Sequence, residues 1–207
     1  MYQQFRLSLV EFPVITSPEI RKSFPDFDTK NLINWQKKGY VIKLRNGYYL
    51  FLETKTDENR LFQIANKLYD PSHVSMESAL NYYGIIPEAV YSVQSLSIRK
   101  TDKFTNALGA FTYRTIKKVL YFGYHLIRDG ATTFRMASRE KSLLDFLYLR
   151  PDISDYQSFE ALLWNHEALL LINESTPQDY LRLFNSPTLN KKIELLKTYM
   201  RAWMSRK

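Results

Sequence analysis

The chain has 207 residues, 45% hydrophobic and 15% aromatic, enough to bury a core and unlike a disordered composition. It contains no cysteine, which excludes disulfide frameworks and thiolate zinc sites, and no run approaching the roughly 18 apolar residues of a membrane span. The formal net charge of +8 favours an anionic partner, and the N-terminus lacks the apolar core of a secretion signal, so a soluble, cytoplasmic protein without membrane contact is expected.

The charge is unevenly spread. Residues 1–55 carry nine Lys/Arg against five Asp/Glu, residues 56–150 thirteen against nine, and residues 151–207 seven of each. In the last part the acids come early (Asp152, Asp155, Glu160, Glu167, Glu174, Asp179) and the bases late (Lys191, Lys192, Lys197, Arg201, Arg206, Lys207). The late bases read as a solvated helix end.

In chain order, residues 2–10 form a short helical candidate. Ser17-Pro18-Glu19 is a helix start: a hydroxyl cap, proline at the first helical position and an acid at the positive dipole end. That helix stops at Pro25. Asp28 caps a third helix, which ends at Gly39. Residues 40–44 and 48–52 are β-rich runs around Arg45-Asn46-Gly47, a strong hairpin signal. Residues 56–69 return to helical spacing, with Leu61, Ile64, Ala65 and Leu68 on one face. A boundary is placed near Lys55, dividing the chain into units 1–55 and 56–207. The second unit has helices over 75–83, 138–149, 158–171, 176–184 and 189–204. Strands are predicted at 90–99, 110–116, 119–127 and 132–136. The fold class is therefore α+β.

Helix, short turn, helix, then hairpin is the order of a winged helix-turn-helix. The candidate recognition helix is 29–38. At 100° per residue, Leu32 and Trp35 face inward, which turns Lys30, Ile33, Asn34 and Lys37 outward. Lysine can contact phosphate or guanine, asparagine can pair with adenine, and isoleucine can touch a thymine methyl. Lys43 and Arg45 flank the wing turn, and Ser17 and Arg21 are placed to hold phosphates. Double-stranded DNA is the partner these eight residues would bind. The competing reading is a winged helix that docks a protein through the same face.

Several runs are similar to the AbiEi family of transcriptional regulators and antitoxins. Two are generic for winged helices: Trp35-Gln36-Lys37-Lys38-Gly39-Tyr40 and Asn46-Gly47-Tyr48-Tyr49. Three are more specific: Ser75-Met76-Glu77-Ser78-Ala79-Leu80, Tyr83-Gly84-Ile85-Ile86-Pro87-Glu88, and Ala137-Ser138-Arg139-Glu140-Lys141-Ser142-Leu143-Leu144-Asp145. His73 stands where the family often has an aromatic residue. The match covers residues 17–151 and is loose beyond. The resemblance implies an N-terminal winged helix-turn-helix that represses its own promoter, followed by a mixed α+β antitoxin-like domain with C-terminal helices. It also implies a functional partner, a nucleotidyltransferase-like toxin, opposed without a tight complex. A stand-alone regulator without antitoxin activity is the alternative.

The second-unit motifs also have local readings. Ser75 can cap its helix, Glu77 can favour the dipole, and Ala79 and Leu80 can pack inward; Ser138 with the Lys141–Asp145 pair suits a capped helix. Tyr82, Tyr83 and Glu88 can line a surface.

No enzyme is expected, and no cofactor or metal is assigned. His73, His125 and His166 lack metal-ligand spacing, and the glycines form no phosphate-binding loop. Asp70, His73 and Ser75 are the residue types of a triad, but their crowding in sequence fits a helix-to-loop transition. Asp102, Asp129 and Asp145 are scattered acids.

Overall fold

The computed structural model describes residues 1–54, 56–87, 91–172 and 175–206, with 175–177 described by backbone alone. Lys55 at the expected boundary, Glu88, Val90, Glu174 and Lys207 lie outside the described residues. The protein is a mixed α+β molecule with ten α-helices and two sheets among the described residues. No helix among them is long and apolar enough to cross a membrane.

The N-terminal part contains α1 (Tyr2–Leu9), β1 (Ile15–Thr16), α2 (Ser17–Ser23), α3 (Lys30–Lys37), β2 (Val41–Arg45) and β3 (Tyr48–Phe51). Its three strands pair antiparallel in the order β1-β3-β2. The Asn46-Gly47 turn closes the hairpin, with Gly47 at φ +79°, where a side chain would be strained. The cap of α2 is Thr16, one residue before the expected Ser17. Its Oγ1 accepts from the Glu19 N–H, and the Glu19 carboxylate accepts from the Thr16 N–H, a reciprocal capping box. Asp28 Oδ1 accepts from the Lys30 N–H at 2.9 Å and starts α3, and Gly39 at φ +70° ends it.

The second sheet has six strands: β4 (Ser72–Val74), β5 (Ser92–Ser97), β6 (Asp102–Asn106), β7 (Gly109–Thr115), β8 (Tyr124–Asp129) and β9 (Thr132–Ala137). Their order is β6-β7-β5-β4-β9-β8, with β5–β7 and β4–β9 parallel and the other pairs antiparallel. Helices α4 (Glu58–Leu68), α5 (Met76–Tyr82) and α6 (Arg139–Leu149) pack on it, followed by α7 (Tyr156–Glu160), α8 (His166–Leu170), α9 (Ser175–Phe184) and α10 (Pro187–Met204).

Four expectations are corrected. Strands β1, β4 and β6 were not foreseen, the first two because they are only two and three residues long, β6 because its Asp-Lys-Phe-Thr-Asn sequence alternates only weakly. The strand placed at 119–127 begins at Tyr124, after a 3-10 turn at Lys118–Leu120. The single helix placed at 158–171 is two, α7 and α8, separated where Leu163 takes φ +49°. Lys192 is not on a solvated face: it is buried, and its Nζ donates to the carbonyls of Leu147 at 2.9 Å and Arg150 at 2.6 Å, covering the C-terminal end of α6.

The expected Lys141–Asp145 pair forms, but in the core rather than on a helix surface: both side chains are 0% exposed. Lys141 Nζ donates to Asp145 Oδ1, and the Ser75 hydroxyl donates to Asp145 Oδ2 at 2.7 Å instead of capping α5. Gly123 lies so close that a Cβ there would sit 3.1 Å from Lys141 Cγ. His73 is buried against the rings of Tyr121 and Tyr124, with Nε2 4.0 Å from Asp145, too far for a hydrogen bond. Burial pulls the His73 pKa below its ordinary value, against the opposing pull of Asp145. Burial likewise lowers the Lys141 ammonium, with Asp145 opposing.

Two predictions follow from this network. Asp145→Ala leaves the Lys141 charge buried and unpaired, and is expected to cost about 3–5 kcal/mol in urea unfolding. The double variant Lys141→Met/Asp145→Leu recovers most of that loss, and an unchanged midpoint in the single variant would show that the pair does not hold the core. For His73 the folded pKa lies below 6.5, so the unfolded chain binds the proton more readily. Its contribution is present above pH 6.5 and is lost as pH falls through the folded value, with a slope of at most about 1.4 kcal/mol per pH unit. His73→Phe keeps a ring against the two tyrosines and is expected to flatten that slope relative to the parent.

Candidate nucleic-acid interface

The helix α3 presents two different faces. Leu32 and Trp35 are buried in a cluster with Phe5, Leu9, Ile15 and Ile20. Trp35 is held by three rings, two on α1 and one in the loop before α3: Phe5 at 4.8 Å, Tyr2 at 5.2 Å and Phe27 at 5.6 Å between centroids. These contacts fix the rotation of α3, and they leave Lys30, Ile33, Asn34 and Lys37 exposed together. Ile33 is 54% exposed, an apolar side chain left on an otherwise polar face. Lys30, Lys37, Lys43 and Arg21 form no ion pair among the described residues. Among the described residues their charges are therefore left for an outside partner, as electrostatic attraction of a polyanion requires.

The other candidates are placed differently. Ser17 is half-buried against the hairpin turn; its N–H donates to the Gly47 carbonyl at 2.9 Å and its hydroxyl lies 3.5 Å from the same oxygen. That contact joins the start of α2 to the β2–β3 turn. Arg45 turns away from solvent towards β6. Its Nη2 donates to Asp102 Oδ2 at 2.7 Å, and its guanidinium lies over the rings of Phe104 at 4.9 Å and Tyr69 at 5.8 Å. A bulge between Lys43 and Arg45 separates these two side chains: Lys43 is exposed, Arg45 half-buried. Neither the acid nor the rings that hold Arg45 are signalled by spacing: Asp102 and Phe104 lie 57 and 59 residues on, in a strand that sequence reading missed, and Tyr69 lies at the end of α4.

The surface considered around Tyr82 and Tyr83 is tied into the fold. Tyr83 donates its hydroxyl to the Ala137 carbonyl at 2.8 Å, burial raises its pKa to about 12, and Arg139 lies 5.3 Å from its ring. Tyr82 packs edge-on against Phe62 at 6.0 Å. Glu77 pairs with Arg150 at 2.8 Å across to the end of α6. The Ser75-to-Leu80 and Ala137-to-Asp145 motifs thus meet each other in the core, and offer no open site at Asp145.

The chain matches no protein-family model and no curated protein.

The α3 geometry separates stability from recognition. Trp35→Ala is expected to lower unfolding stability by about 3–5 kcal/mol. Lys37→Ala, on the exposed face, is expected to stay within about 0.5 kcal/mol of the parent. Denaturant unfolding of both variants tests the assignment of faces; a Lys37 variant that unfolds as readily as the Trp35 variant would contradict it.

Proposed function

We propose that the protein is a DNA-binding transcriptional repressor and an antitoxin of an AbiE-like toxin–antitoxin system. On this reading α2, α3 and the β2–β3 hairpin form a winged helix-turn-helix that binds double-stranded DNA at the protein's own promoter. Helix α3 enters the major groove, and the hairpin follows the backbone. The observation that carries the reading is the outward face of Lys30, Ile33, Asn34 and Lys37, set opposite the buried Leu32 and Trp35. Asn34 reads a base edge, Ile33 offers contact to a thymine methyl, and Lys30 and Lys37 meet phosphate or guanine. Lys43 and Arg21 add positive charge on the hairpin and α2. Ser17 contributes by holding the hairpin turn, and Arg45 by holding the hairpin on β6.

The antitoxin half rests on the three motifs that resemble the AbiEi family. Its target is a nucleotidyltransferase-like toxin, opposed without a tight complex. The chain performs no chemistry of its own on this reading.

Gel shifts with the promoter over a salt series test the DNA half. Asn34→Ala is expected to relax base preference by roughly 1–3 kcal/mol of discrimination. Lys37→Ala is expected to weaken binding to all sequences and to flatten the log–log salt slope by about 0.9. A folded Lys30/Asn34/Lys37/Arg45 quadruple alanine variant that binds as tightly as the parent at every salt concentration would rule this surface out. Retained binding to a protein but not to DNA would favour the interaction-module alternative. The same quadruple variant tests the antitoxin half: co-expressed with the toxin, it is expected to lose repression and keep protection. Point variants suit this test better than removal of residues 1–55, which would strip Val14, Leu44 and Leu50 from a core shared with α4 and β7.

A further inference from the structure

We propose that the cleft between the N-terminal sheet and the six-stranded sheet binds a small phosphate-bearing molecule of nucleotide size. The cleft holds about 830 Å³, within the roughly 300–1,000 Å³ typical of ligand pockets. One wall is the start of α2, at Thr16 and Ser17, with the Asn46-Gly47-Tyr48 turn of the hairpin. The other wall is α4 with strands β8 and β9. A molecule seated there touches both parts of the chain.

The lining is polar at a depth where polar side chains are rare. Gln63 and Asn66 on α4 are 3% and 6% exposed. Gln63 is engaged on both sides, accepting from Arg60 at 3.2 Å and donating to Asp129 at 2.8 Å. Asn66 accepts from the Arg135 N–H through Oδ1 at 2.5 Å, while its Nδ2, buried behind the lining, has no hydrogen-bond partner among the described residues. A buried donor in that condition calls for an acceptor.

Two cations stand in the same lining. Lys67 Nζ donates to Glu19 Oε1 at 2.8 Å, and Arg135 Nη2 donates to Asp70 Oδ1. An ammonium has three donors and a guanidinium five, so these single contacts leave others for the oxygens of a phosphate. Of the two acids, Glu19 lies outside the lining, and Asp70 is 63% exposed and screened by water. Each base thus keeps one acid partner, and what the cleft offers a phosphate is their remaining N–H donors. Tyr48 supplies a half-buried ring against which a heterocycle can pack, whereas Phe134 beneath it is closed into the core. The spare cationic donors and this ring together fit a nucleotide.

Occupancy also has a route to the DNA-binding part. The Glu19 carboxylate that holds Lys67 is the one that closes the capping box with Thr16, accepting from its N–H and its hydroxyl at 2.8 Å each. A phosphate that draws Lys67 away frees Glu19 at the first turn of α2. This coupling rests on the proposed function; the binding itself does not.

Calorimetry without DNA tests the binding, using AMP, GMP, CMP and UMP, their triphosphates, the four nucleosides and inorganic phosphate. At least one nucleotide is expected to bind saturably at one site, with its nucleoside weaker by about tenfold or more. Lys67→Gln, a half-exposed position that the fold tolerates, and Asn66→Asp, which sets a carboxylate beside the cleft, are each expected to weaken it by about tenfold or more. Lys30→Ala/Lys37→Ala is expected to leave it unchanged, and circular dichroism confirms that each variant is folded. No saturable binding by any member of the panel overturns the proposal. So does binding lost in the Lys30/Lys37 variant but kept in Lys67→Gln, which places the anion on α3. A promoter duplex that displaces the nucleotide, and that itself loses the same factor on Lys67→Gln, assigns the cleft to the DNA backbone and overturns the small-molecule site. Failure of the DNA reading leaves the calorimetry untouched, so the two failures are distinguishable.

Discussion

The hairpin strands do not end in solvent; they are packed onto the second sheet. Val14, Leu44 and Leu50 from the N-terminal part share one buried cluster with Ile64, Ala65, Leu68 and Tyr69 of α4 and its cap, and with Phe111 and Tyr113 of β7. Full burial of one such side chain is worth about 1.5–3 kcal/mol, so separating these surfaces would be costly. Polar contacts at the margins add direction to this apolar attraction. Tyr113 donates its hydroxyl to the Ala65 carbonyl at 2.9 Å, and burial holds its phenol far above the ordinary value. Arg45 reaches Asp102, Asn106 Nδ2 reaches the Leu44 carbonyl at 3.4 Å, and Arg60 reaches the Phe12 carbonyl at 3.2 Å. The orientation of α2 and α3 is therefore set by the six-stranded sheet as well as by their own small core. The two sheets are separate in hydrogen bonding and joined in packing.

A second constraint lies deeper. Lys141, Asp145, Ser75 and His73 bring two distant segments together where apolar residues would fill the space at lower cost. An apolar core accepts many arrangements, whereas a buried carboxylate accepts few. Asp145 uses one oxygen for Lys141 and the other for Ser75, which fixes the entry to α5 against the middle of α6. Gly123 must be small for Lys141 to pass, and Lys192 covers the end of the same helix. The charges thus serve as position markers for α6, and removing Asp145 leaves both the Lys141 ammonium and the Ser75 hydroxyl without the oxygens they bond.

Local chemistry explains what was legible in the sequence. Asp28 and Gly39 bound α3, Asn46-Gly47 turns the hairpin, and the inward Leu32 and Trp35 give the helix face, because each depends only on neighbours within a few residues. The eight candidate residues lie on the N-terminal helices and hairpin for that reason. What was not legible depends on distant partners. Ser75 looks like a cap until Asp145, seventy residues on, takes its hydroxyl. Arg45 looks like a free base until β6 supplies Asp102 and Phe104. Lys192 looks solvated because its helix is amphipathic only on average, and the α6 carbonyls that bury it have no sequence signature. The break between α7 and α8 follows from Leu163 in a left-handed conformation, which no glycine or proline announces.

Net charge by itself does not locate a nucleic-acid surface on this chain. Many of the bases are paired with acids, which leaves the excess of +8 on the others: Arg6 holds Glu53, Arg45 holds Asp102, Arg135 holds Asp70, and Arg150 holds Glu77 and Asp152. Exposed bases remain in both parts, Lys100, Lys103, Lys117 and Lys118 among them, so a count would favour neither. Side-chain orientation distinguishes them. On α3 the bases share a face with an asparagine and an exposed isoleucine, groups that can read base edges, and that face is fixed in rotation by Trp35 and the three rings around it. A solvated lysine gains nothing from a rigid helix beneath it, whereas base recognition depends on one. The aromatic packing of Trp35, more than the number of lysines, is therefore the feature that makes α3 a reading helix on the proposed function.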